Sequence, residues 1–361
     1  MRRFSTLLTV LPAVIGALSL QPLAVEAQEV RRDTTAQGLK RMTVDDFALW
    51  RSVGQTSLSP DGRWVTFAYS QREVDDSLFI KPLAGGESHV VVRGSNPTFT
   101  GDSRWVAYYV NPKEEEGGRS GSGGSSSAGR GQGGGNGQAR SLELFDLESR
   151  DTVRWENVQA FAFAESGAAL AVKKRKADSD ADHDGTDLLV RYLSSGEEEL
   201  ISYVDEWGFD KAGHRLAYTL ATPDGESNGI HLLNLDARTR QVLDAERKMD
   251  YARLSWGDDK GDPSADALAV LKGGEDNVLV ETVTALLMWP ALSSSVEPVI
   301  LDPRPVKGDT PTEGSSEGGE AQDESGADTD PGLLPEGWVL SEKGALDWAK
   351  EADRILSLIH I

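Results

Sequence analysis

One phrase recurs along this 361-residue chain, and its spacing constrains the fold more than any other feature. The phrase is an apolar residue, a short polar turn rich in Asp and Gly, and then an apolar strand. It starts at Leu58 (LSPDGRWVTF) and again at Phe99 (FTGDSRWVAY). Phe163 opens a degenerate copy, Phe209 a fourth, Trp256 a fifth with a longer turn, and Trp348 the beginning of a sixth. The starts lie 41, 64, 46, 47 and 92 residues apart. The interval of 64 contains residues 117–138, a stretch of 22 with 11 Gly and 5 Ser that reads as a flexible insert; without it 42 remain. The interval of 92 contains an acidic low-complexity insert at 308–331, and the 68 residues left over leave room for extra strands or a hidden blade. A period of about 40–47 residues is that of a four-stranded β-blade.

Each unit also reads internally as a blade. The Asp-Gly turn joins two short antiparallel strands, because Gly accepts a positive φ without steric cost. After the strand following Arg63, residues 77–83 and 88–93 continue unit one around a Gly85-Gly86 turn. Residues 187–193 and 198–203 do the same in unit three around Ser195-Gly196. The strands at 64–69 (WVTFAY) and 105–110 (WVAYYV) carry no charge on either alternating face. A strand with one wet face alternates apolar and polar residues, so these are expected to be covered on both sides. Blades stacked face to face about an axis provide that cover, at about 1.5–3 kcal/mol per large side chain buried. The fold class is therefore all-β, a β-propeller of four-stranded blades with five to six blades present, spanning residues 43–355. Residues 341–356 read equally as the start of the sixth blade or as an amphipathic helix capped by Ser341. Ahead of the first blade, residues 43–50 read as a short helix capped by Thr43, with Asp45 and Asp46 at its positive end, or alternatively as an extended lead-in strand.

The two ends of the chain carry their own signals. Arg2 and Arg3, the apolar run 7–20, and Val25-Glu26-Ala27 have the layout of a secretory signal over residues 1–27, followed by a linker at 28–42. This predicts an exported protein, periplasmic or extracellular. No later run reaches the roughly 20 apolar residues of a membrane span. The last residues, 356–361, form an apolar run without a cap or turn and are expected to be non-native or to mark a truncated frame. The chain has no Cys, which removes disulfides, thiolate nucleophiles and Cys-ligated zinc together. Its net charge of −22 repels phosphate backbones, so nucleic acid is not an expected partner. Eight of the acids, with no base among them, lie in 308–331.

The residues Ser59-Pro60-Asp61-Gly62 before an aromatic strand resemble the repeat of TolB-type periplasmic propellers. With the segment 43–50 (TVDDFALW) and Leu78-Phe79-Ile80, they also resemble the opening of the propeller in prolyl oligopeptidase-family serine peptidases, dipeptidyl aminopeptidases included. The resemblance spans about residues 43–355 and is carried by a repeat rather than by a catalytic motif. It implies a propeller that precedes an α/β-hydrolase domain and admits short or unfolded peptides to its Ser-Asp-His site. The peptidase reading therefore expects peptides and a separate hydrolase domain as partners. The TolB-like reading expects a protein-interaction module.

No catalytic residue and no cofactor is expected in this chain. The formal nucleophile elbow at 314–318 (GSSEG) lacks the strand before it and the helix after it that would project a serine toward oxyanion-hole amides. His89, His183, His214, His231 and His360 stand without a partner pattern and are expected in turns or at the surface. For metals, the one cluster is Asp180, Asp182 and Asp184 before Gly185. Alternate carboxylates ahead of a Gly turn can converge on calcium. The EF-hand pattern fails at Arg191, however, and Lys173 to Lys176 can neutralise the acids as an exposed loop.

Overall fold

The computed structural model describes residues 42–71, 74–113, 139–176, 183–257, 266–274, 283–295, 297–302, 339–340, 344–348, 355–356 and 359–360. The chain divides into two units, one ending at Trp50 and the other running from Arg51 to the end. In the first, Val44–Leu49 is a 3₁₀ helix rather than an α-helix. The Asp46 carboxylate accepts from the Thr43 amide (2.8 Å) and hydroxyl (3.0 Å), so the expected cap is present in a tighter helix.

The second unit is a succession of four-stranded antiparallel blades, each a simple meander. Blade 1 consists of β1 (Arg51–Leu58), β2 (Trp64–Gln71), β3 (Val74–Pro82) and β4 (His89–Val92). Blade 2 follows with β5 (Gly94–Phe99), β6 (Trp105–Val110), β7 (Arg140–Asp146) and the first half of β8 (Thr152–Phe163). The second half of β8 opens blade 3, which continues through β9 (Ala169–Lys174), β10 (Thr186–Tyr192) and the first half of β11 (Glu198–Phe209). Blade 4 takes the rest of β11, then β12 (Arg215–Leu220), β13 (Gly229–Asn234) and β14 (Thr239–Ala245). Blade 5 contains β15 (Asp250–Trp256), β16 (Leu268–Gly274), β17 (Val283–Trp289), β18 (Val299–Leu301) and β19 (Val339–Leu340).

Two strands are shared because the outer strand of one blade runs straight into the first strand of the next. In β8 the residues up to Val158 pair with β7 and those from Val158 onward pair with β9, so Val158 is shared by both ladders. The pivots Asn157 (φ 58°) and Tyr203 (φ 61°) stand at the same repeat position as Arg93 (φ 60°), six residues before the apolar start. A non-Gly residue in the left-handed region turns the strand between blades without breaking it.

The repeat starts sit at equivalent places. Leu58 pairs with Val65, Phe99 with Val106, Phe163 with Leu170, Phe209 with Leu216, and Trp256 across its longer turn with Leu268. The sixth copy follows the same rule, for Trp348 in β20 (Asp347–Trp348) pairs with Ile355 in β21 (Ile355–Leu356). The helix alternative for 341–356 is thus overturned at Trp348, which lies in a strand paired antiparallel with Ile355. The long 92-residue interval also resolves. Met288, Leu287 and Leu286 of β17 pair with β18, and Thr284 then pairs with Leu340 of β19. The outer strand of blade 5 is interrupted by the acidic stretch, and no further blade lies among the described residues of that interval. The last strand, β22 (Ile359–His360), pairs antiparallel with β19.

Burial follows the stacking. Val106, Ala107, Tyr108, Tyr109 and Val110 are all buried, as expected for a strand covered on both faces. Blade 1 departs from that expectation. Its Ala68, Leu78 and Ile80 are buried against blade 2, but Phe67 and Tyr69 on the other face are only half-buried and every residue of β1 is exposed. Sequence apolarity reports what a face prefers, whereas cover depends on a neighbour.

Candidate functional site

Hydrogen bonds join the first strands of blades 1 and 2, of blades 4 and 5, and of blade 5 and the sixth repeat. Each first strand carries a register shift about three residues before the apolar start, at Gly54/Ser57, Ser95/Thr98, Val158/Ala160, Val204/Trp207 and Ala252/Ser255. Gln55, Asn96 and Arg253 take positive φ there. Such a bulge frees a peptide N–H from the ladder, and the side chain of the previous blade caps it. Gln55 Oε1 accepts from Asn96 N (2.7 Å), and Glu206 Oε2 accepts from Leu254 N (2.6 Å). At the apolar start, the Trp256 indole donates to Gly208 O (2.8 Å) and the Trp348 indole donates to Ser255 Oγ (3.2 Å). The sixth repeat therefore engages blade 5 much as blade 5 engages blade 4.

Between blades 2 and 3 the first strands line a cleft of about 420 Å³. Phe99, Tyr109, Phe161 and Phe163 supply its apolar walls, with Asn96 and Glu165 among its polar lining. Tyr109 meets Phe161 edge-on at 5.0 Å, and the Arg140 guanidinium lies 3.5 Å from the centre of the Tyr109 ring while donating to Gln159 O (2.7 Å). Burial raises the Tyr109 phenol above its ordinary pKa, so the ring stays neutral beneath the cation.

One blade further on, the position of Tyr109 is taken by Lys173, which is 8% exposed. Its ammonium donates to Asp205 O and lies 4.0 Å from Asp205 Oδ1. Burial pushes the Lys173 ammonium below its usual pKa and the Asp205 carboxyl above its own. The Asp184, Glu206 and Asp250 charges also act on Asp205 and raise it further, although Lys173 opposes them. Buried apolar residues hold the same position in blades 2 and 5, at Tyr109 and Leu271.

The turns at the other end of the blades are built as their sequences require. Ser59 O accepts from Gly62 N (2.8 Å), Ser59 Oγ accepts from Trp64 N (2.9 Å), and Asp61 Oδ1 accepts from Arg63 N (3.0 Å). The Ser59 hydroxyl donates to the Asp61 carboxylate (2.6 Å) and holds it below the usual carboxylate range. Thr100, Asp102 and Arg104 repeat this set in blade 2. Neighbouring turns are tied together, since Asp61 N donates to Ser103 Oγ (3.0 Å) and Ser166 Oγ donates to Gly213 O (2.5 Å).

Two histidines depart from the surface positions expected of them. His89 stacks on Phe145 (4.1 Å between rings) and shares a 3.0 Å hydrogen bond with Tyr108. His231 stacks on Tyr218 at 5.3 Å, and its Nε2 is buried without a partner among the described residues. Burial lowers both pKa values. Below the ordinary value of 6.5 the unfolded chain binds protons that the folded chain refuses, so stability is full above 6.5 and falls as pH drops toward the lowered folded values. The melting temperature is expected to fall between about pH 7 and 5, and His231→Phe to flatten part of that slope; an unchanged slope in the variant would assign it elsewhere. His214 sits in a turn 2.9 Å from Asp236, as expected, and the His183 ring meets Tyr203 edge-on at 5.5 Å.

Of the calcium candidates, Asp184 is exposed and lies 4.0 Å from Lys176, whereas Asp180 and Asp182 fall outside the described residues. The elbow-like run 314–318, the signal at 1–27 and the insert at 117–138 fall outside them as well. What sequence reasoning missed is the bulge row and the cleft. Residues 55, 96, 160, 206 and 253 share a position yet are Gln, Asn, Ala, Glu and Arg, so no residue type marks it.

No family model matches the sequence, and neither does any curated protein. Among solved structures the chain is similar to the β-propeller domain of the Trilobed protease from Pyrococcus furiosus, at 10% identity and a TM-score of 0.36 over 67% of this chain and 69% of that one. It is similar to a prolyl endopeptidase at 11% identity and a TM-score of 0.37, over 72% of this chain and 37% of that one. TolB from Acinetobacter baumannii matches at 11% identity and a TM-score of 0.28, over 66% of this chain and 52% of that one. The chain thus spans well under two thirds of the endopeptidase and TolB chains.

Proposed function

We propose that this chain is the peptide-binding and gating propeller of an exported prolyl oligopeptidase-like serine peptidase, whose hydrolase domain belongs to a longer protein. The observation that carries the reading is the cleft along the first strands of blades 2 and 3. Its four aromatic walls and polar Asn96 and Glu165 suit an apolar side chain on an extended peptide. The repeat phrase and the secretory layout of residues 1–27 support the family and the export. A dye-labelled proline-containing peptide is expected to bind the chain, with affinity falling about tenfold in Phe161→Ser, equivalent to about 1.4 kcal/mol. Equal binding by parent and variant would remove the cleft from the reading. Sequencing the gene past codon 361 tests the peptidase assignment separately. A Gly-x-Ser-x-Gly elbow followed by Asp and His is the expected result, and an early stop codon would sink it.

A further inference from the structure

Two blade interfaces hold a cation on the same carbonyl of the repeat. Between blades 3 and 4 the Lys173 ammonium donates to Asp205 O, and between blades 2 and 3 the Arg140 guanidinium donates to Gln159 O (2.7 Å). Asp205 and Gln159 are equivalent, each four residues before the apolar start of its repeat, Phe209 and Phe163. What differs is the counter-ion. Asp205 sets its own carboxylate beside the ammonium, whereas Gln159 brings a neutral carboxamide.

Among the described residues Arg140 meets the Gln159 carbonyl and the Tyr109 ring, and neither carries a negative charge. Arg191 and Arg238, which also lie over aromatic rings between blades, are matched by Glu198 (2.8 Å) and Glu197. Arg51 and Arg150 lie over rings without a carboxylate, but both are exposed to screening solvent. Arg140 is half-buried and held in place by the ring and the carbonyl. A guanidinium fixed in this way offers the rest of its planar N–H fork to a carboxylate, which such a fork binds through two parallel bonds.

Tyr109, the ring beneath the guanidinium, is also a wall of the aromatic cleft. The cleft is therefore polar along its length. Tyr109 pairs with Ser95 next to Asn96 at the bulge end, while Glu165 stands at the turn end beyond Phe163. An anionic group is attracted to the first end and repelled from the second.

We propose that Arg140 binds a carboxylate of the peptide whose apolar side chain fills the cleft. The chemistry is the same for a free C-terminus on the apolar residue and for an Asp or Glu side chain next to it. The inference rests on the reading of the cleft as a peptide site and adds the charge its ligand carries.

Three dye-labelled peptides test it: Ala-Pro-Phe with a free C-terminus, the same peptide amidated, and amidated Ala-Pro-Phe-Asp. The parent is expected to bind the first about tenfold more tightly than the second, and Arg140→Gln to bind the two equally. Tight binding of the third, lost in Arg140→Gln, identifies a side chain as a source of the carboxylate; weak binding leaves the C-terminus as the source. Gln159→Asp gives Arg140 the counter-ion that Lys173 already has. It should erase the preference without weakening the amidated peptide or lowering the melting temperature, and it keeps the Tyr109 stack should Arg140→Gln fail to fold. A preference that survives in Gln159→Asp would overturn the proposal. Equal binding of all three peptides by the parent, each weakened by Phe161→Ser, would overturn the carboxylate and keep the cleft. Binding of none would overturn both.

Discussion

Gly213→Ala is expected to destabilise the protein by about 4 kcal/mol, whereas Gly62→Ala, at the same turn position one end of the row away, should cost about 1 kcal/mol. Both glycines take a left-handed φ, +72° at Gly213 and +69° at Gly62, so a side chain strains the backbone about equally at each. The surroundings differ. A Cβ on Gly62 would meet nothing within 4 Å, but one on Gly213 would lie 2.4 Å from Ser166 N and 2.5 Å from Glu165 N. Those are backbone atoms of the neighbouring turn, and they cannot swing aside as a flexible side chain could. The extra cost is the separation of blades 3 and 4, including the bond from Ser166 Oγ to Gly213 O. Urea midpoints of the two variants decide the matter. Equal losses would show that only the φ requirement counts and that the turns do not hold the blades together.

The second large effect concerns Lys173 and Asp205. Asp205→Ser leaves a nearly buried ammonium without its carboxylate and is expected to cost about 3 kcal/mol. The double variant Lys173→Leu/Asp205→Ser should return to within about 1 kcal/mol of the parent, because burial already disfavours both charged forms. The replacements are ones the repeat itself uses, Leu271 at the position of Lys173 in blade 5 and Ser95 at that of Asp205 in blade 2. If the double variant were as unstable as the single one, the ion pair would be a requirement of the blade 3–4 interface and not a tolerated cost. Denaturant unfolding of the three proteins gives the coupling directly.

These two tests fall on features of different visibility in the sequence. Gly213 belongs to the recurring turn, so its left-handed conformation could be read from the phrase, but its approach to Ser166 could not, since the partner lies 47 residues away. Lys173 sat in a basic run that suggested an exposed loop balancing Asp180, Asp182 and Asp184. Its burial came from the register of β9, which aims alternate side chains between blades. His89 and His231 misled in the same way, because a lone imidazole carries no sign of the aromatic ring that will cover it.

By itself the sequence determined the blade: its period, its Asp-Gly turns, its doubly apolar strands and the equivalence of Leu58, Phe99, Phe163, Phe209, Trp256 and Trp348. The turns and strands are local properties, set by φ preference at the turns and by apolar runs on both faces of a strand within about ten residues, and the period is their recurrence. Tertiary structure alone decided where strands run on between blades, where first strands bulge, which outer strand the acidic stretch interrupts and which apolar face stays bare. Those outcomes depend on how strands pair and sheets pack in three dimensions, and neither spacing nor composition records which neighbour arrives.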